Sequence, residues 1–176
     1  MRSPLGLGTI ILAASIAVRS AAAQQAPAAA PPNCKAPEFR KLDFWVGEWD
    51  VAISQGHAGT SSVTLEEDGC VVHEHWKSAR GETGQSFNYY DRNDQKWHQE
   101  WISNSGHALH LAGTDSAGAI HYTGETVGPK GGRVMHRLSF IPDSAGRVRQ
   151  LWDISTDGGK TWSTGWDGLY TRKPKS

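Results

Sequence analysis

From Trp49 onward the chain is cut into short runs of alternating apolar and polar residues, and the cuts come about every 8 to 12 residues. Period-two alternation puts successive side chains on opposite faces of an extended strand, so the runs read as half-buried β-strands. They cover residues 49–54, 60–66, 70–78, 84–91, 96–103, 108–114, 119–127, 133–141, 147–155 and 166–172. The breaks are built from turn formers: Glu67-Asp68-Gly69, Asp91-Arg92-Asn93-Asp94, Asp115-Ser116-Ala117-Gly118, Pro129-Lys130-Gly131-Gly132 and Asp143-Ser144-Ala145-Gly146. In such turns Gly supplies positive φ and Asp or Asn bonds its own backbone. Connections this short make consecutive strands antiparallel neighbours. A meander of about ten strands loses its two edges by closing, so the expected fold is an all-β, antiparallel up-and-down barrel. Residues 37–46 (PEFRKLDFWV) carry Phe39, Leu42, Phe44 and Trp45 and are expected to form a short N-terminal helical cap on one end.

The residues ahead of this domain have a different character. MRSPLGLGTIILAASIAVRSAAAQQ opens with Arg2, runs apolar from Leu5 to Val18 and spaces Ala21 and Ala23 as A-x-A, so residues 1–23 read as a secretory signal peptide. The apolar run is shorter than the ~20 residues of a membrane-spanning helix, Arg19 ends it, and no later run comes close. Residues 24–32 (QQAPAAAPP) are an Ala/Pro-rich linker, and residues 33–176 are one domain's worth of chain. Cys34 follows Ala30-Pro31-Pro32-Asn33, which has no aliphatic lipobox, so the expected product is periplasmic or secreted without a lipid anchor. Lys and Arg number 18 against 18 Asp and Glu; without Arg2 and Arg19 the balance is 16 to 18, a net −2 with no basic patch for nucleic acid. In an oxidising compartment the two cysteines, Cys34 and Cys70, are expected to bridge, removing about 4 kcal/mol of unfolded-state freedom in the loop-entropy picture.

The opening LDFWVGEWDV, Leu42 to Val51, resembles the F-D-F-W-x-G-x-W-D-V start of a bacterial family of exported domains of unknown function. The resemblance continues through Gly69-Cys70-Val71 with Glu74 and Trp76, through Ser86, Asn88, Tyr90 and Asp91, through Trp97, Gln99 and Trp101, and through RQLW and SxDGGKTW near the end. It spans essentially the whole mature domain. It implies a lipocalin-like or calycin-like barrel and brings no established reaction.

Register decides which side chains meet inside. A four-residue turn at 92–95 pairs Tyr90 with Trp97, Asn88 with Gln99 and Ser86 with Trp101 on one face. The same rule across 143–146 pairs Arg137 with Trp152 and Ser139 with Gln150. Turning Glu74 and Trp76 inward as well gives an interior of Trp76, Trp97, Trp101 and Trp152 walls with Glu74, Asn88, Gln99, Arg137 and Gln150 as polar groups. That mixture suits a small molecule with an apolar or planar body and a few polar handles. It also permits an enzyme with Glu74 as acid or base and Arg137 stabilising negative charge, or an interaction module whose polar interior only fixes the fold.

Other chemistries find less support. His73 and His75 share the opposite face and invite a metal, with His98, His107 or His110 as third ligand, but they are expected to face solvent, and no metal site is assigned. L-x-F-x-x-G-x-W also resembles the entrance of nitrobindin-type barrels, which bind heme through a late histidine. The closing strand here has none, and the final histidine, His136, adjoins the inward candidate Arg137, so no cofactor is expected. There is no G-x-S-x-G elbow. Ser155-Thr156-Asp157-Gly158-Gly159-Lys160-Thr161-Trp162 resembles the Asp-box of sialidase propellers, but it occurs once, in a chain too short for several blades of about 40 to 50 residues. It is expected to act as a hairpin staple between the last two strands.

Overall fold

The computed structural model describes residues 34–174, so the expected signal peptide and linker lie outside the described residues. Ten antiparallel strands follow one another: β1 (Gly47–Ile53), β2 (Gly56–Glu66), β3 (Val71–Ser78), β4 (Thr83–Asp91), β5 (Lys96–Ser103), β6 (Ala108–Ser116), β7 (Ala119–Val127), β8 (Arg133–Pro142), β9 (Val148–Ser155) and β10 (Ser163–Arg172). Each pairs with the next, and β1 pairs with β10, so the sheet is a closed up-and-down barrel. Among the described residues no helix is long and apolar enough to cross a membrane.

One end of the barrel is filled. Two 3-10 turns, Pro37–Arg40 and Asp43–Trp45, with Leu42 between them, carry Phe39, Leu42 and Trp45 into the interior, all buried. Trp45 lies 4.3 Å from the Phe140 ring and 5.9 Å from Tyr170, while Phe39 meets Tyr90 edge-on at 5.3 Å. Arg172 secures this cap by donating to the Val46 and Phe44 carbonyls at 2.9 and 3.1 Å and by lying over the Trp49 ring. Cys34 is bonded to Cys70, tying the start of the cap to the residue that leads into β3, the strand of Glu74.

The last hairpin is organised by STDGGKTW. Asp157 accepts the Lys160 and Thr161 backbone N–H groups, each at 3.0 Å, and the Thr161 hydroxyl at 2.7 Å. These bonds favour its charged form and hold its carboxyl down at about 2, the Thr161 backbone bond being the largest cause. Gly158 and Gly159 take φ of 76° and 85°, and Trp162 folds back to donate to the Gly159 carbonyl at 3.1 Å. The segment is a hairpin staple between β9 and β10.

The β4–β5 register is the expected one: Tyr90↔Trp97, Asn88↔Gln99, Ser86↔Trp101. The β8–β9 register differs by one residue, with Arg137 opposite Asp153, Leu138 opposite Trp152 and Phe140 opposite Gln150. The cause is local. Asp143 accepts the Ala145 and Arg147 N–H groups at 2.9 Å each and pairs with the Arg147 side chain at 2.7 Å. This draws Arg147 into the ladder, where the Asp143 N–H donates to its carbonyl at 2.9 Å, and leaves a three-residue loop with Gly146 at φ 74°. Because side chains alternate with period two, the slip turns every β8 residue over. Arg137, expected inside, is half-exposed on the outer face, paired with Asp153 at 3.0 Å and lying over Trp162. It is therefore absent from the interior that holds Glu74, and His136 points inward instead.

Candidate ligand-binding cavity

The end opposite the cap opens into a cavity of about 190 Å3. Its walls are four tryptophans, Trp76 from β3, Trp101 from β5, Trp152 from β9 and Trp166 from β10, with Leu109 and Leu138 between them. Glu74, Gln99, Gln150 and Tyr170 reach it from below, and Glu82 and His107 stand in the hairpin loops at its rim. Two glycines let the rings lie against the backbone. A Cβ on Gly84 would sit 2.4 Å from Trp101, and one on Gly168 would sit 2.6 Å from the Trp166 indole nitrogen. A bulge between Thr164 and Trp166 sets Trp166 opposite Trp152. Trp76 and Trp166 then meet edge to face at 5.6 Å.

Glu74 anchors the floor. It is 2% exposed and accepts the Ser61 and Ser86 hydroxyls at 2.9 and 3.0 Å and the Tyr170 hydroxyl at 3.4 Å. Tyr170 makes its shorter bond, 2.9 Å, to the Gln150 side-chain oxygen. Behind Glu74 the network continues inward: Asn88 donates to Ser86 at 3.0 Å and to the Val72 carbonyl at 3.2 Å, and accepts from Gln99 at 2.9 Å and Tyr122 at 3.2 Å. Burial raises the Glu74 carboxyl from its ordinary 4.5 to about 7, against the opposing pull of the Ser61, Ser86 and Tyr170 bonds. Burial, with Glu74 nearby, pushes the Tyr170 hydroxyl well up.

Of the residues singled out in sequence, Glu74, Trp76, Gln99, Trp101, Gln150 and Trp152 line the cavity. Ser86 and Asn88 are inward and fully buried, one layer below, where they hold Glu74 and Gln99. Tyr90 and Trp97 are inward too, but Tyr90 packs on Phe39 under the cap and Trp97 belongs to the closed core. Arg137 is outside. Leu138 enters through the register slip. Trp166 and Tyr170 were missed although Trp166-x-Gly168-x-Tyr170 carries the same period-two signal as the other walls; Glu82 and His107 lie in loops, where alternation says nothing.

His136 is 3% exposed, with both ring nitrogens engaged. Trp152 donates its indole N–H to Nδ1 at 3.2 Å, and Nε2, left to carry the proton, faces the Thr126 hydroxyl at 2.7 Å. Burial lowers its pKa. The expectation that His136 faces away from the interior fails for the same one-residue reason as Arg137.

On the outer face His73 is buried rather than solvent-facing, stacked on Phe87 at 4.3 Å between Glu66 at 2.8 Å and Gln85 at 2.9 Å. Glu66, His73 and His75 present ligand atoms within 4.8 Å of one another, as do Asp91, Asp94 and His98. The third member beside the His73 and His75 pair is thus a carboxylate rather than His98, His107 or His110. No protein-family model matches the chain, and no curated protein is significantly similar to it.

Proposed function

We propose that this chain is an exported β-barrel that binds a small amphipathic molecule in its tryptophan-walled cavity, without catalysing a reaction. The observation that carries this reading is the cavity itself: four indole walls above a buried carboxyl, open at one end of a barrel whose other end is plugged. Small-molecule sites have this composition, mostly apolar and aromatic with a few fixed polar groups. Aromatic burial supplies the affinity, and Glu74, Gln99 and Gln150 orient the ligand. The signal-peptide pattern of residues 1–23 and the Cys34–Cys70 bond support a periplasmic or secreted location. The likeness of LDFWVGEWDV to exported lipocalin-like domains points the same way.

The test is tryptophan fluorescence during titration with extracts of the host cell envelope. Ligand quenches the wild type, and Trp101→Ala or Gln99→Ala abolishes the response while circular dichroism shows the barrel intact; quenching that survives both changes sinks the proposal. One observation favours a second reading, an enzyme: a carboxyl held near 7 beside the Tyr170 hydroxyl is suited to proton transfer. In that case Glu74→Gln removes turnover while ligand affinity is largely kept.

A further inference from the structure

The cavity is lopsided in charge. Glu74 stands at its floor and Glu82 at its rim, and no lysine or arginine among the described residues lines it. Arg137, the one cation expected there, is outside and occupied by Asp153. Four indoles surround the space between the two carboxyls, and the π face of an indole carries negative electrostatic potential that attracts cations. The polar side chains at the cavity floor lean the same way. Glu74 and Gln150 act as acceptors, toward Ser61, Ser86 and Tyr170. A carboxylate has about four lone-pair sites; the two serines fill two, and Tyr170, whose single proton is shared with Gln150, takes no more than one, so Glu74 keeps capacity for a further donor.

Resting on the reading of this cavity as a ligand site, we infer that its ligand is a protonated amine, its cationic head directed at Glu74 and its apolar or planar body held between the tryptophans. An anionic head in the same place meets a carboxyl with no counter-charge. A neutral one leaves the carboxyl to lose its proton unaided in a buried site, which burial opposes until about pH 7. A cation removes that opposition, so binding drives the proton off Glu74. Ser61, Ser86 and Tyr170 already stand where they stabilise the ionised form. The titratable groups around Glu74 are Tyr170 across the barrel, Glu82 and His107 at the rim, His136 behind the Trp152 wall, Tyr122 in the buried network beyond Asn88, and His73, its outward neighbour on β3. A charged His107 opposes a cation, so the titrations at pH 7 and 7.5 are repeated in His107→Asn.

The experiment uses three shape-matched probes, 2-(1-naphthyl)ethylamine, 1-ethylnaphthalene and 1-naphthylacetate, titrated calorimetrically into the intact protein. At pH 7.5 the amine is expected to bind on the order of tenfold tighter than the hydrocarbon, with the carboxylate weakest. Glu74→Gln is expected to remove the amine's advantage, so that amine and hydrocarbon bind the variant with equal affinity. A second readout needs no variant. At pH 7 amine binding releases about half a proton from a group titrating at about 7, seen as buffer-dependent enthalpy, whereas hydrocarbon binding takes protons up. Equal affinities for amine and hydrocarbon, preference for the carboxylate, or no proton release overturns the amine assignment and leaves the cavity reading standing. If none of the three probes binds, both fall together.

Discussion

Replacing Glu74 by Gln is expected to change the pH dependence of stability in a way its contacts alone do not suggest. In the unfolded chain the carboxyl titrates at its ordinary 4.5; in the barrel burial holds it up to about 7. Between those values the unfolded state gives up its proton while the folded state keeps it, so stability falls as pH rises. The contribution is complete below 4.5, drains away up to about 7 and is constant above. At about 1.4 kcal/mol per pH unit, the loss across that window is about 3 kcal/mol. The side-chain amide of Glu74→Gln does not titrate, so the variant lacks this slope, although it forgoes one of the serine bonds at every pH. Urea unfolding of both proteins at half-unit steps from pH 4 to 9 singles out the group, because the titrations of groups that do not interact with Glu74 cancel in the difference. The wild type is expected to lose about 3 kcal/mol relative to the variant across the window. Parallel curves refute the reasoning. A wild type that gains on the variant as pH rises refutes it more strongly, since the fold would then favour the ionised carboxylate.

Two further predictions concern the frame. Removing the bridge through Cys34→Ser and Cys70→Ser together is expected to cost about 2–5 kcal/mol in urea unfolding and to loosen the cap first, seen as early hydrogen exchange at Leu42 and Trp45. Arg137→Ala is expected to cost about 1–3 kcal/mol, because it leaves the buried Asp153 carboxylate with only the Thr164 hydroxyl among its side-chain partners, and to leave ligand quenching untouched, because Arg137 is on the outer face; lost binding in that variant would put Arg137 back at the site.

Most of the frame could be read from the residues because the barrel needs little beyond alternation and short turns. β5 and β7 begin and end where the pattern said, and the other strands differ by a few residues at their ends. The cavity was readable only where register was. The turn at 92–95 keeps four residues, with Gln95 at φ 58°, so Ser86, Asn88 and Gln99 fell on the right face. At 143–147 the same counting failed, because Asp143 captures Arg147 and shortens the loop by one. That choice between two side-chain bonding patterns is invisible to hydrophobic periodicity, and it decides whether the site holds a cation. The carboxyl's unusual titration likewise depends on depth, which alternation does not report.

The seam between β1 and β10 carries one more consequence. Its ladder is short, from Trp49↔Arg172 to Ala52↔Leu169, and it joins the two ends of the domain's chain. Every other pairing in the barrel is between consecutive strands and can form as soon as its hairpin is made, but this one waits for the last strand. A sheet lacking β10 would leave β1 and β9 with bare edges, the arrangement most open to pairing with another copy. Contacts of such sequence separation are slow to form. The vulnerable period of this protein's life is thus the interval before Arg172 reaches Trp49, and a chain cut short within β10 is expected to aggregate rather than fold.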